Sequence, residues 1–506
     1  IARRRRRHHA WAVMALRRGG AAVAAAAAAA AQSTESVVRI PWALRLRLQR
    51  GERGRRREQE TAAVTARPGK LLLRSRRPEL SQPRWQTVGR WERPRLVSAG
   101  WKHRKARGDY FQLEAARGEA PALQEPPRAG TSPSFAEMGL RPALLSALQG
   151  LSVSRPTVVQ RVAIPALRRG RSALCAAETG SGKTLAYLLP LLDRLLAAPG
   201  PGPAEEEERG AMVPAAPLGL VVLPSRELAA QVGAVAAALC RPTGLLVRGL
   251  TGGGAAGGLR RQLRAPPPGA AVLLGTPGAL QTEGAPGPGG PEEERTQVVV
   301  VGATFPAGLS QMLAKFIDVD HFVNLSTQSL HHLPLHVQQK FVCLKGQDKL
   351  PELLQLLKER PASAGAVIIF CNSASTVNWL GYILDDHKIK HLRLQGQMSA
   401  AARAGIFASF QKGDVSVLVC TDLASRGLDT SSVQLVVNYD FPSSLQDYLH
   451  RVGRVGRVGS KAPGAAVSFV THRWDVDLVR KIETAARKRA GLPGMDTSIN
   501  EPPPKA

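Results

Sequence analysis

The sequence predicts an α/β fold in which two parallel-sheet domains stand in tandem behind a basic N-terminal extension. Three observations carry that prediction. From Ser134 onward, short Val/Leu/Ile runs alternate with longer apolar-periodic segments, the rhythm of βαβ units. The alternation occurs twice, with a break after Asn324. Basic residues concentrate where sustained periodicity is absent: residues 1–130 hold 30 Lys and Arg against 10 Asp and Glu, +20 of the chain's +30.

In chain order, residues 1–34 contain no acidic residue and are rich in Arg and Ala, the composition of a mitochondrial presequence that delivers a protein to the matrix. The arginine run Arg3 to Arg7 offers a competing nuclear or nucleolar address, and Met14 stands where a natural start is plausible. Residues 35–130 form a basic extension carrying Trp85, Trp91, Trp101, Tyr110 and Phe111. Aromatics among arginines either stack on unpaired bases or dock on a neighbouring domain. Residues 131–325 form the first domain, with strands expected at Ser172 to Ala176, Leu218 to Leu223, Leu245 to Val247, Ala271 to Leu274 and Val298 to Val301. A linker at 326–333 leads to the second domain, 334–490, with strands at Val337 to Leu344, Ala366 to Cys371, His391 to Leu394, Val415 to Val419, Leu435 to Tyr439 and Ala465 to Val470; 491–506 is a tail.

The charge favours a polyanionic partner, since each phosphate neutralised releases condensed counterion. Cys175, Cys240, Cys343, Cys371 and Cys420 are widely spaced without a Cys-x-x-Cys, so they read as reduced core residues, neither disulfides nor a zinc site. No apolar run has membrane-spanning character, and the alanines from Ala21 to Ala31 are too weakly apolar to supply it.

The strongest motif is Ala177-Glu178-Thr179-Gly180-Ser181-Gly182-Lys183-Thr184, at a strand-to-helix turn. Glycines there let backbone N–H groups approach phosphates, Lys183 neutralises them, and the Thr184 hydroxyl can ligate Mg²⁺. ATP with Mg²⁺ is the cofactor that such a cradle takes.

With its neighbours, this octapeptide resembles the DEAD-box RNA helicases over roughly residues 135–490. The resemblance implies two RecA-like domains, ATP-dependent remodelling of structured RNA, and single-stranded or structured RNA, ribosomal RNA among the candidates, as partner. Gly150 to Gln160 resembles the adenine-reading motif, which makes Gln160 the base reader and Phe135 the ring that stacks on adenine. Arg226 in Pro224-Ser225-Arg226-Glu227-Leu228-Ala229, Gly252-Gly253 and Thr276-Pro277-Gly278 resemble the loops that hold the RNA backbone. Gly302-Ala303-Thr304 resembles the interdomain coupling motif. In the second domain, Phe370-Cys371-Asn372, Gly396 to Arg403, Thr421 to Asp429 and His450 to Arg457 complete the series. By resemblance, Thr421 touches RNA, Asp429 the ribose, His450 couples the domains, and Arg454 and Arg457 act with Lys183 on the γ phosphate. Segments such as Val377 to Lys388 are most similar to a mitochondrial member of the family, which agrees with the presequence-like start.

One feature departs from the family. Only Ala279 to Val301 separates Thr276-Pro277-Gly278 from Gly302-Ala303-Thr304, and no Asp-Glu-Ala-Asp occurs in the chain. The resemblance implies that a strand is then missing from inside the first sheet, together with the carboxylates that anchor Mg²⁺ and activate water. Glu292 to Glu294 follow a proline and not a buried strand, and Asp385-Asp386 reads as helix surface, so neither replaces them. An incompletely assembled coding sequence is the favoured explanation. The rival to a working helicase is a scaffold that binds ATP and RNA without turnover.

Overall fold

The computed structural model describes residues 71–81, 95–115, 133–197, 219–250, 270–277, 297–305, 309, 314, 322–327, 329–360, 365–422, 430, 432–457 and 464–495. The presequence-like segment, Trp85, Trp91, Gly252, Gly253, Gly278, Glu292 to Glu294, Asp429 and residues 496–506 lie outside them.

The second domain is built on one eight-stranded sheet. Its parallel part comprises β9 (Val337–Cys343), β10 (Ala366–Cys371), β11 (Leu392–Leu394), β12 (Val417–Thr421), β13 (Val433–Asn438) and β14 (Gly464–Val470). These strands are apolar on both faces because both faces are covered. Along β10, Ile368 and Phe370 join one core cluster while Val367, Ile369 and Cys371 join the other, the period of two that a pleated strand imposes. All five cysteines are buried free thiols, as expected, and burial pushes Cys175 up to about 12 and Cys343 up to about 11.

Two further strands of this sheet come from the extension. β1 (Leu71–Ser75) pairs with β2 (Tyr110–Ala115), and β2 pairs antiparallel with β9, giving the order β1-β2-β9-β14-β13-β10-β12-β11. This corrects the base-stacking option for two of its aromatics. Phe111 is fully buried and stacks on Phe341 at 4.6 Å, and Trp101 is buried with its indole N–H donating to Asp109 Oδ2 at 2.9 Å. Both rings are core, so neither has a face to offer a base.

A buried carboxylate holds the extension in place. Glu483, on the last helix of the domain (Arg473–Lys488), is fully buried; it accepts from Val97 N at 2.8 Å, Ser98 N at 2.9 Å and Ser98 Oγ at 2.6 Å, and pairs with Arg487 at 2.8 Å. Four donors satisfy one charge that water cannot reach.

The first domain is organised differently. Among the described residues its six strands form two separate three-stranded parallel sheets: β7 (Val299–Gly302), β3 (Ala173–Ala176) and β8 (Val323–Ser326) in one, with order β7-β3-β8, and β4 (Gly219–Val222), β6 (Ala270–Gly275) and β5 (Leu246–Leu250) in the other, with order β4-β6-β5. β8 was not anticipated, because Val-Asn-Leu-Ser alternates too weakly. Among the described residues the outer strands of these sheets are β7 and β8 in one and β4 and β5 in the other. On β4, Leu220 and Val222 are about half exposed while Val221 between them is buried, so one apolar face of this strand is uncovered.

Replacing Glu483 by Ala leaves Arg487 and the backbone donors of Val97 and Ser98 unsatisfied, and is expected to destabilise the second domain by about 3 kcal/mol. Glu483→Gln, which keeps an acceptor, should lose less. Chemical denaturation followed by circular dichroism compares the two, and equal midpoints for wild type and Glu483→Ala would remove the clasp.

Candidate nucleotide and RNA site

β3 is buried at every position and delivers the chain to the cradle at its C-terminal end, where a helix, Lys183–Leu195, begins. Gly180 has φ +79° and Gly182, the helix N-cap, φ +90°, backbone conformations that side chains rarely adopt. Space closes the same positions: a Cβ on Gly180 would sit 2.8 Å from Arg457 Cγ, and one on Gly182 2.7 Å from Gln160 Nε2.

Lys183 Nζ donates to the carbonyls of Ala177 at 2.9 Å and Glu178 at 2.5 Å, and Ser181 Oγ donates to Glu178 O at 2.7 Å. Burial pushes the Lys183 ammonium down to about 8; Glu178 opposes this, while Arg457 and Arg454 add to it. Three cations from two domains therefore converge on one turn. Glu178 Oε2 accepts from Thr327 Oγ1 at 3.0 Å, tying the cradle to the end of β8. Burial pushes the Tyr187 phenol up to about 12, and the neighbouring Thr184 hydroxyl opposes this.

Gln160 sits at the third position of a helix, Val158–Arg168, within a capping box: its Oε1 accepts from Thr157 N at 2.9 Å. Its Nε2 donates to Gly182 O at 3.0 Å. One amide hydrogen and one oxygen lone pair remain, the complement that an adenine edge requires. Phe135 is 4% exposed and belongs to the first-domain core cluster with Met138, Leu140 and Leu144, buried to a similar degree as Gln160 at 2%.

From the second domain, the helix Leu445–Val452 is capped by Ser444, whose Oγ accepts from Asp447 N at 3.0 Å. It carries His450, whose Nε2 lies 3.1 Å from Thr304 Oγ1, a bond between the two domains. Ala303 O is 3.1 Å from His331 Nε2, and a Cβ on Gly302 would meet Phe305 at 2.8 Å. Just beyond the helix, Arg454 Nε donates to His450 O at 3.1 Å and Arg457 Nε to Gly453 O at 3.2 Å. Gly453 packs so closely on Thr179 that a Cβ would run into its hydroxyl.

The residue that sequence reasoning passed over is Arg451, 1% exposed. Its guanidinium donates to both oxygens of Asp422 at 2.6 Å, to Asn372 Oδ1 at 2.6 Å and to Asp440 O at 2.7 Å, and lies over the Phe370 ring. The signal was an arginine inside an amphipathic helix, bracketed by strands ending in Asn, Asp and Asp.

Arg226 starts a helix, Arg226–Cys240, and is exposed; its neighbour Glu227 pairs with Arg403 of the second domain at 3.1 Å. Thr276 and Pro277 follow β6, and Thr421 ends β12 half-buried. Asp385 and Asp386 are exposed, as expected. Among the described residues no group of three or more His, Cys, Asp or Glu could hold a metal. Thr184 alone supplies one oxygen, which does not make a Mg²⁺ site in the protein itself.

Residues 157–304 match the DEAD/DEAH box helicase family and residues 348–459 the helicase conserved C-terminal domain. The chain is 50% identical over 519 aligned positions (93% of this chain, 94% of the relative) to a protein of Homo sapiens described as probable ATP-dependent RNA helicase DDX28, and 49% identical over 518 positions (93% of each) to its Mus musculus counterpart. The first alignment is longer than the 506 residues of this chain, so that relative has residues with no counterpart here. Among solved structures, S. cerevisiae Dbp5 bound to RNA and ADP BeF3 matches with TM-score 0.56 at 25% identity, covering 69% of this chain and 92% of that one. Mss116 bound to single-stranded RNA and UDP-BeF matches in fold with TM-score 0.57 at 20% identity, covering 70% and 77%.

The lowered Lys183 pKa fixes the sign of a pH effect. Bound phosphates raise that pKa, so nucleotide binding takes up a proton wherever free Lys183 is neutral. Nucleotide affinity should be full below pH 8 and fall as pH rises past it. A fluorescent ATP analogue titrated from pH 7 to 9.5 tests this, and Lys183→Met should remove both the affinity and its pH dependence.

Proposed function

This chain belongs to the DEAD-box family of ATP-dependent RNA helicases, and from that premise we propose that it remodels structured RNA in mitochondria, RNA of the kind met in ribosome assembly. The convergence of Lys183, Arg454 and Arg457 on one cradle carries the reading. A triphosphate is the ligand that offsets three cations packed at a glycine turn, and because the cations come from two domains, binding it favours their closure. Gln160 would read the base through its spare donor and acceptor, Thr184 would give a bound Mg²⁺ one oxygen, and the Thr304–His450 bond would pass closure from cradle to RNA face. Arg226, Thr276, Pro277 and Thr421, with Gly252, Gly253 and Gly278, are proposed to hold the RNA backbone, and Asp429 the ribose. Contacts of this kind carry no sequence preference. RNA is the ligand printed for the Dbp5 and Mss116 structures, which supports the assignment of substrate class. The presequence-like composition of residues 1–34 supports mitochondria over nucleus or nucleolus.

A second reading has its own observation. The first-domain strands form two short sheets among the described residues, no Asp-Glu-Ala-Asp occurs in the chain, and the cradle's own carboxylate, Glu178, is engaged by Thr327. On that reading ATP and RNA bind and the domains close, while turnover is slow.

RNA-stimulated ATP hydrolysis separates the two. Without the base, turnover is expected about 10² to 10⁴ below that of the human relative measured in parallel. Restoring the relative's segment between Gly278 and Gly302 should recover it, and equal rates without restoration would rule out the scaffold reading. For location, removing residues 14–34 from a tagged chain should abolish mitochondrial import; unaltered import refutes the assignment.

A further inference from the structure

Between η-turn Ser98–Gly100 and β2 lies the run Lys102-His103-Arg104-Lys105-Ala106-Arg107, five basic residues in six with no acid among them. All five are exposed. Because β2 runs antiparallel to β9, with Tyr110 opposite Val342, this loop emerges at the C-terminal end of the second-domain strands. That is the end at which β12 delivers Thr421 and β10 delivers Asn372. The loop is anchored at both sides: Gly108 N donates to Cys343 O at 2.8 Å, Lys102 pairs with Asp477 at 2.7 Å, and Arg107 pairs with Asp348 at 2.5 Å. Those pairs use the two neighbouring carboxylates. Arg104 and Lys105 make no ion pair among the described residues.

One helical turn before Asp477 on the same helix face stands Trp474. It is 68% exposed, the most exposed large hydrophobic side chain among the described residues. Its ring is stacked on His472 at 4.6 Å and 8° between planes, which fixes one face and leaves the other open. Arg473 beside it is exposed. An orphan tryptophan in water is unfavourable unless something covers it, and an indole held flat among cations is the platform on which an unpaired base stacks.

We propose that the 102–107 loop and Trp474 form a second RNA-binding site, outside the interdomain cleft, that takes single-stranded RNA by its phosphates and by one stacked base. The loop's charge decides for a polyanion over an apolar partner. β2 and β12 are five strand steps apart, about 24 Å at ~4.8 Å per step, so one strand of RNA leaving the cleft reaches the loop without bending back. The site rests on the RNA-helicase reading and extends it: the extension that sheet pairing fixes to the second domain supplies a grip on RNA beyond the closing cleft. No part of it contacts the nucleotide cradle, so it persists whether the domains are open or closed.

The test uses full-length protein with a long and a short labelled single-stranded RNA in fluorescence anisotropy across a salt series. The Arg104→Ala/Lys105→Ala variant should lower the slope of log K against log salt by about 1.4 for the long RNA, two phosphates at ~0.7 each. Trp474→Ala should weaken long-RNA binding about fivefold or more. Both should leave short-RNA and ATP binding unaltered, which also reports intact folding. If wild type binds the long RNA and the variants match it in affinity and slope, the site is refuted and the helicase reading stands; a loop serving an acidic protein would give this result. If wild type binds neither RNA, the helicase reading itself falls.

Discussion

The arrangement at the cleft depends on one buried guanidinium. Arg451 joins the ends of three strands, through Asn372 after β10, Asp422 after β12 and Asp440 after β13, to the helix that presents His450, and the turn carrying Arg454 and Arg457 follows directly. A charge this deeply buried is tolerated because four of its five N–H groups donate to acceptors, two of them on one carboxylate. Since the guanidinium is planar and rigid, its partners fix the helix in rotation as well as position. The contacts of Gly453 with Thr179 and of Arg457 with Gly180 inherit that precision.

Across the cleft the cradle is held by compensation. Lys183 rests on two backbone carbonyls and is pushed toward neutrality by burial and by the two arginines beyond it. Glu178 opposes that push, and its Oε2 accepts from Thr327. Three cations at one turn repel one another, and the same arrangement gives a triphosphate its leverage. Among the described residues no group of three or more His, Cys, Asp or Glu stands with those cations to hold a metal. Among the described residues the first-domain strands form two short sheets, and Leu220 and Val222 are exposed on the outer strand β4.

The extension changes how the second domain is bounded. A parallel sheet leaves β9 as an edge, with unpaired backbone groups that invite association. β2 covers it, and Glu483 locks the covering segment by reading backbone N–H groups at Val97 and Ser98. The chain thus passes from second-domain sheet to first domain and back.

Much of this was legible in the sequence. The glycine turn at Gly180 and Gly182, the apolar runs of β9 to β14, and the order of short motifs all follow from local rules: glycine for positive φ, and continuous Val/Ile/Leu for a strand buried on both faces. The burial of Phe135 was not legible, because an aromatic near a binding motif reads alike whether its ring is open or packed inside. Trp101 and Phe111 left two options that only the register of Phe111 against Phe341 could separate. Arg451 escaped notice because its partners lie 11, 29 and 79 residues away. By itself the sequence determined the elements, the cradle and the excess of positive charge, since these depend on neighbours in the chain. Tertiary structure alone decided which charges converge, which aromatics are buried and which edge the extension covers, because burial and pairing are properties of segments that meet in space from far apart along the chain.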